Sequence, residues 1–210
     1  MVRDAEQAKN EKNHSERDGA NRMAGAISWN NIDAQYDLEH TFVMSDHHFC
    51  LWNSQIGRIL GRGSVAEDEK HIELWNSVVG KDDLVLYVGD FCDGPASMMK
   101  DVNNLLNGRK VLIKGNHDGL GDECYREIFS DVVSELRIEE LNLRLIHSRE
   151  EVKDLRSGER LIYGHEHRNL EGAPDTAADS ICVCAQWHDW KPISLAAAFR
   201  QMNSIPIAIW

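Results

Sequence analysis

The sequence predicts an α/β domain, on three observations. Six short apolar runs have the length of buried strands, several longer stretches have helical periodicity, and the two kinds of segment alternate along the chain. Near-continuous apolar strands separated by helices are typical of a sheet that is covered on both faces. At 210 residues the chain is long enough for one substantial domain and short for two.

The strands are predicted from their apolar runs and the helices from their inward-facing stripes and their ends. Gly80 and Gly108 follow the first two helices as natural stops, and Pro95 suits the first turn of the second. The predicted strands are 41–45, 84–89, 110–114, 142–147, 160–164 and 180–185. The predicted helices are Ala66–Val79, Pro95–Leu106 and a shorter one over 122–129.

Composition restricts the possible partners and the setting. Residues 1–25 have few apolar anchors, so we expect a flexible arm ahead of a single domain over residues 38–210. The net charge of −12 argues against general binding to nucleic-acid backbones, because no block of Lys and Arg offsets it. Five scattered cysteines without a CxxC pair argue against a disulfide framework and a structural zinc site. With neither a signal-peptide core nor a membrane span in the sequence, we expect a cytoplasmic protein.

Five short polar clusters follow predicted strands, and they carry the chemistry. In α/β sheets, ligands collect outside the carboxyl ends of the strands, which is where these clusters lie. Any one of them alone is weak evidence, but five in succession indicate a common site. They are Asp46-His47-His48, Gly89-Asp90, Gly115-Asn116-His117-Asp118, His147 and Gly164-His165-Glu166-His167.

The donors in these clusters suit two divalent metals held side by side. Alternate residues of an extended segment project to the same side, so Asp46 and His48 are expected to reach one ion. The pair His165 and His167 repeats that spacing, and the carboxylate of Asp90 has two oxygens with which to bridge two ions. Imidazole, carboxylate and amide donors favour Mn, with Fe, Ni or Zn as alternatives.

The order of these motifs resembles that of the calcineurin-like metallophosphoesterases. Glu73–Gly80, Leu105–Lys114 and Trp190–Leu195 are similar to the small single-domain bacterial and phage branch. The resemblance implies a four-layer αββα sandwich and a phosphate-flanking His117 whose imidazole Asp118 orients. It also implies a first metal held by Asp46, His48, Asp90 and His167, and a second held by Asp90, Asn116, His147 and His165.

The chemistry that follows is hydrolysis of a phosphoester by water activated at a dinuclear centre. We expect a small-molecule phosphodiester or nucleotide as substrate. Arg149 and Arg168 follow predicted ligands and are candidates to bind the substrate. It is at least as plausible that they are solvated charges of surface loops. The alternatives are a nuclease acting on nucleic-acid ends, a phosphomonoesterase or phosphoprotein phosphatase, and a metal-binding scaffold without activity.

Overall fold

A computed structural model describes residues 37–55, 63–167 and 179–203, and its framework is two β-sheets. The strands are β1 (Thr41–Met44), β2 (Leu84–Tyr87), β3 (Arg109–Ile113), β4 (Asp131–Val133), β5 (Glu135–Ile138), β6 (Leu143–Ile146), β7 (Arg160–Tyr163), β8 (Ser180–Cys182) and β9 (Ile193–Ser194). The helices are α1 (Val65–Asn76), α2 (Ala96–Leu105), α3 (Asp122–Arg126) and α4 (Leu195–Asn203).

Both sheets are mixed. The first has the order β4-β3-β2-β1-β9, in which β1 to β4 are parallel and β9 runs antiparallel to β1. The second has the order β5-β6-β7-β8, in which β6, β7 and β8 are parallel and β5 is antiparallel to β6. The carboxyl ends of β1, β2 and β3 therefore lie at one edge, and those of β6 and β7 likewise lie together.

The first sheet is buried on both faces, as its apolar strands predict. Trp75 of α1 and Met99 of α2 pack in one core cluster with Phe42, Met44 and other strand residues. The pleat turns the intervening residue Val43 to the opposite face, where it is equally inaccessible to solvent. Helices α1 and α2 therefore cover one face of the first sheet, and its other face is buried inside the molecule.

The two sheets meet where β1 and β8 end. Ser45 forms a parallel bridge with Cys184. The Ser45 amide donates to the Val183 carbonyl at 3.0 Å, and the Ala185 amide donates to the Ser45 carbonyl at 3.0 Å. Helix α4 packs against β1, β8 and β9, and so covers this seam. The contact brings the strand ends of both sheets to the same place.

The predicted α/β fold is confirmed as two mixed sheets flanked by helices. All six predicted strands are present, each ending one to three residues before the predicted boundary or at it. The predicted ends of the first and third helices are wrong, because α1 stops at Asn76 and α3 at Arg126. After α1 the chain turns, with the amides of Val78 and Val79 both donating to the Trp75 carbonyl.

Four elements were missed. Strand β5 carries charged residues at alternate positions, Glu135 and Arg137, while β4 has three residues and β9 only two. Helix α4 does bury a stripe at helical spacing, Leu195, Ala198 and Met202, which the sequence reasoning did not use. The predicted arm over residues 1–25 falls outside the described residues, and so does the segment 168–178. The domain boundaries therefore stay predictions. Among the helices that the structure describes, none is long and apolar enough to cross a membrane.

Candidate metal centre

Every predicted ligand lies within a few residues of a strand end, and the two sheets contribute to one site. Asp46 and His48 follow β1, Asp90 follows β2, and Asn116 follows β3, all three strands being neighbours in the first sheet. The second sheet contributes the remaining ligands from its two central strands, namely His147 after β6 and His165 and His167 after β7. The structure therefore brings together all seven residues that the sequence nominated.

The first group consists of Asp46, His48, Asp90 and His167. The Nε2 atoms of His48 and His167 are 3.1 Å apart. His167 Nε2 lies 3.5 Å from Asp46 Oδ1, and His48 Nε2 lies 3.7 Å from Asp90 Oδ2. Four donor atoms from three segments thus face a common point.

The second group consists of Asp90, Asn116, His147 and His165. Asn116 Oδ1 lies 3.0 Å from both His147 Nε2 and His165 Nδ1, and these two nitrogens are 3.3 Å apart. His147 Nε2 is 3.3 Å from Asp90 Oδ2, the same oxygen that faces His48 in the first group. One carboxylate oxygen is therefore common to both groups.

These donor spacings fit metal ions. With metal–ligand bonds of about 2.1 Å, two donors lie about 3.0 Å apart at 90° and about 3.4 Å apart at the tetrahedral angle. Asp46 Oδ1 is buried and accepts no hydrogen bond from any described residue, while its second oxygen accepts from the His165 amide at 3.0 Å. A cation would satisfy this oxygen, whose burial alone is costly. The donor set, imidazole with carboxylate and amide, suits divalent transition metals.

The backbone reaches this arrangement by left-handed turns, and the expected extended conformation is wrong. Asp46, His48, Asp90 and His165 have φ angles of 59°, 50°, 57° and 67°. Such angles are uncommon outside glycine and cost about 1–3 kcal/mol each, so the surrounding structure must hold them. The alternating spacing predicted that the side chains converge, but the physical reason is a left-handed turn at four of the seven residues.

Three glycines allow the motifs to pack against one another. A Cβ on Gly164 would lie 2.5 Å from Asp46 Oδ2, and a Cβ on Gly89 would clash with the His147 ring and lie 2.7 Å from Gly115. A Cβ on Gly115 would lie 2.7 Å from the Asp90 amide nitrogen. Gly89 has a φ of +89°, whereas Gly115 is outside the left-handed region. Gly115 is needed for close approach instead.

The field of the site favours cations. Burial by itself would lower the pKa of His147, but the hydrogen bond to Asp90 and the charges of Asp46 and Asp90 raise it to about 9. For His48, too, the hydrogen bond and charge of Asp93 outweigh burial, and the pKa is raised. Carboxylates that stabilise a proton on an imidazole stabilise a metal ion in the same position.

His117 lies beside the first group, and its orienting partner is not the expected one. His117 Nδ1 is 3.1 Å from Asp93 Oδ1, and the other oxygen of Asp93 is 2.9 Å from His48 Nδ1. The prediction that Asp118 orients the His117 imidazole is therefore wrong. The signal for Asp93 was its position three residues after Asp90, which the sequence reasoning did not use.

Asp118 instead organises the backbone. It is buried, and its carboxylate accepts from the amides of Asp90 and Gly115 at 2.8 Å and of Phe91 at 3.2 Å. These bonds tie the loop after β2 to the loop after β3. Asp118 thus fixes the position of Asp90 through the main chain.

Of the two arginines considered for substrate binding, only Arg149 lies in the described residues. Its Nε is 2.7 Å from Glu166 Oε1, and its guanidinium lies 5.5 Å from the centre of the Tyr163 ring. These contacts place it close to the second sheet's ligands, and its role in substrate binding stays a prediction. Arg168 falls outside the described residues.

Comparison with known proteins agrees with this geometry. A sequence model of the family described as "Calcineurin-like phosphoesterase" matches residues 40–171. Uncharacterized protein MJ1445 of Methanocaldococcus jannaschii is 31% identical over 169 residues, which are 75% of this chain and 88% of that protein. Gene 66 protein of Mycobacterium phage D29 is 42% identical over 71 residues, which are 28% of this chain and 36% of the phage protein.

One solved structure is similar in fold. The crystal structure of the protein of unknown function AQ665 from Aquifex aeolicus superposes with a TM-score of 0.60. The match covers 77% of this chain and 98% of the Aquifex chain, at 23% sequence identity. At that identity the likeness concerns the fold alone.

Proposed function

The chain belongs to the calcineurin-like phosphoesterase family, and from this premise we propose that it hydrolyses a phosphodiester or nucleotide at a dinuclear metal centre. The observation that carries the proposal is the shared Asp90 Oδ2, which faces His48 in one group of donors and His147 in the other. A carboxylate oxygen common to two donor groups is what a bridging ligand requires.

We propose Mn as the metal at both positions, with Fe, Ni or Zn as alternatives, because the donors are mainly imidazole nitrogens and carboxylate oxygens. When bound, the two ions supply a water of lowered pKa as nucleophile and positive charge for the phosphoryl oxygens. The protein orients the ligand imidazoles through hydrogen bonds to the ring nitrogen that does not face the site. Among these are His48 Nδ1 to Asp93 and His147 Nδ1 to the Val88 carbonyl at 2.8 Å, which direct each Nε2 into the site.

His117 is proposed as the proton donor to the leaving oxygen. Its side chain is 41% exposed, so it can reach a bound substrate, and its Nδ1 is engaged by Asp93. The contact leaves Nε2 to donate a proton or to hydrogen-bond a phosphoryl oxygen. Asp93 orients the imidazole through this contact, so its carboxylate acts on the reaction through His117.

The charge of the chain favours a small substrate over a polymer. A net charge of −12 repels long polyanions, and this makes the nuclease alternative less favourable. A phosphomonoesterase or phosphoprotein phosphatase would use the same metal chemistry and differ only in the groups around the phosphate. The scaffold alternative is disfavoured because the seven ligands, His117 and Asp93 converge in one place.

The test is metal-dependent hydrolysis of two chromogenic esters. Metal-stripped protein is assayed with bis-p-nitrophenyl phosphate and p-nitrophenyl phosphate after addition of Mn, Ni, Zn, Mg or Ca. We expect Mn to restore diester cleavage, Asp90→Asn to abolish it, and Asp101→Asn, the same change at an exposed position of α2, to leave it intact. Cleavage of the monoester alone would favour the phosphomonoesterase. No turnover with any metal, at two bound ions per chain, would favour the scaffold.

A further inference from the structure

A cavity of about 810 Å³ opens beside the first group of metal ligands, and it is large enough for a small organic molecule. Its walls are one face of α1 and the turn over residues 185–191, and His48 is shared with the metal centre. On α1 the lining residues include Glu67, Lys70, His71 and Leu74, whose spacing is that of a single helical face. The cavity is therefore continuous with the place where a phosphate would bind.

One wall of the cavity is aromatic. The Trp190 ring stacks on the His71 ring, with centroids 3.9 Å apart and planes at 11°. The His47 ring lies 6.0 Å from His71 and 6.1 Å from Trp190, and Tyr87 Oη holds its Nδ1 at 3.0 Å. The stacked pair of His71 and Trp190 and the inclined His47 ring line the cavity next to His48. Aromatic side chains at a cavity wall bind planar rings by stacking.

The turn that carries Trp190 is held in an unfavourable conformation. Asp189 and Trp190 have φ angles of 51° and 63°, two successive non-glycine residues in the left-handed region. For a bulky side chain this is a genuine outlier, and such strain concentrates at functional sites. In addition, His71 Nδ1 is buried and has no hydrogen-bonding partner within the described ranges. The conformation that places the indole on the cavity wall therefore has a cost, which the surrounding contacts must offset.

The charge of the lining argues against a second phosphate in the cavity. Three carboxylates (Glu67, Asp68 and Asp189) stand against two ammonium groups (Lys70 and Lys191). Burial lowers the pKa of His71, so this imidazole adds no positive charge at neutral pH. A net negative lining favours a neutral group with hydroxyl and amino hydrogens, which the carboxylates can accept.

We propose that this cavity binds the nucleoside portion of the substrate, with the base against the His71–Trp190 wall and its phosphate at the metal centre. The inference rests on the proposed phosphoesterase function and narrows its substrate to esters of a nucleoside. The ribose hydroxyls would face the acidic side of the cavity.

The test compares two phosphates that differ only in the base. Binding of adenosine 5′-monophosphate and of ribose 5-phosphate to the metal-loaded protein is measured by titration calorimetry. We expect the nucleotide to bind about 10-fold more tightly, the usual effect of one base stacked on aromatic side chains. Because binding is measured directly, the result does not depend on turnover.

Two variants remove the wall in different ways. Trp190→Gly deletes the indole and suits the left-handed backbone, so the turn is not further strained. His71→Leu keeps the side-chain volume and removes the planar ring, which covers the case in which the first variant does not fold. Each is expected to lower the affinity for the nucleotide about 10-fold and to leave that for ribose 5-phosphate unchanged.

The outcomes separate this inference from the proposed function. Equal affinities for the two ligands, or equal losses for both in a folded variant, would overturn the nucleoside site. Absence of binding by either phosphate would overturn it as well. Preferential nucleotide binding with no hydrolysis of any phosphoester would leave the site standing and refute the catalytic proposal.

Discussion

Gly115→Ala should damage the metal centre by displacing Asp90, although Gly115 is not itself a predicted ligand. A Cβ at this position would lie 2.7 Å from the Asp90 amide nitrogen and 2.9 Å from its Cγ. Ordinary contacts begin at 3.4 Å, so Asp90 must retreat by about 0.5–0.7 Å. Its main chain cannot do so freely, because the Asp90 and Gly115 amides both donate to Asp118.

The size of the effect follows from this displacement. Overpacking of this kind costs about 1–3 kcal/mol of stability, which most domains tolerate. Misplacement of a reacting group by about 1 Å can reduce the rate about 100-fold, so a shift of roughly half that is expected to lower kcat/KM about 10-fold or more. The loss should be larger for catalysis than for folding, because Asp90 Oδ2 faces both groups of ligands.

The assay uses Gly119→Ala as its matched control. Gly119 lies in the same loop, yet the nearest atom to an added Cβ is the His117 carbonyl oxygen at 4.0 Å. Metal content, melting temperature and diester hydrolysis are measured for both variants. A folded Gly115→Ala protein that retains two metals and full activity would refute the packing argument, and so would equal damage in Gly119→Ala.

Two further predictions concern residues behind the site and far from it. Asp93→Asn should lower kcat about 10- to 100-fold at saturating metal, and it should cost much less when it is added to His117→Ala, because Asp93 acts on the reaction through that ring; fully additive losses would contradict this. Lys110 is buried, and burial lowers its pKa to about 8, while Nζ donates to the carbonyls of Leu106 and Gly108 at 2.9 Å. Between about pH 8 and pH 10.4 the unfolded chain holds the proton that the folded chain has lost, so stability should rise with pH by about 2–3 kcal/mol relative to Lys110→Met. Parallel pH–stability curves from denaturant titration would show that the folded pKa is not lowered.

The sequence predicted the ligands better than the reasons for their placement. Apolar runs followed by polar clusters were sufficient to locate Asp46, Asp90 and Asn116 at the ends of neighbouring strands, because that pattern depends on burial. The left-handed backbone at Asp46 could not be predicted, since it is imposed by tertiary contacts and not by local preference. Asp93 was missed for a similar reason, because its contacts with His48 and His117 join residues 45 and 24 positions apart in the chain.

The stacking of Trp190 on His71 beside the metal centre could not be predicted from the sequence either. The structure pairs Trp190 with His71 of α1. A histidine in the middle of a charged helix gives no sign of such a partner, because the pairing depends on how α1 and the 185–191 turn approach each other.

The seam between the sheets also determines when the centre can form during folding. His48 and His167 are separated by 119 residues, and their Nε2 atoms come within 3.1 Å only after β1 and β8 have met at Ser45 and Cys184. A chain that has built only the first sheet holds three of the four residues of the first group and two of the four of the second, and closing that long loop costs entropy before either group is complete. We therefore expect tight metal uptake to be a late event, coupled to docking of the two sheets, and bound ions to stabilise the docked arrangement.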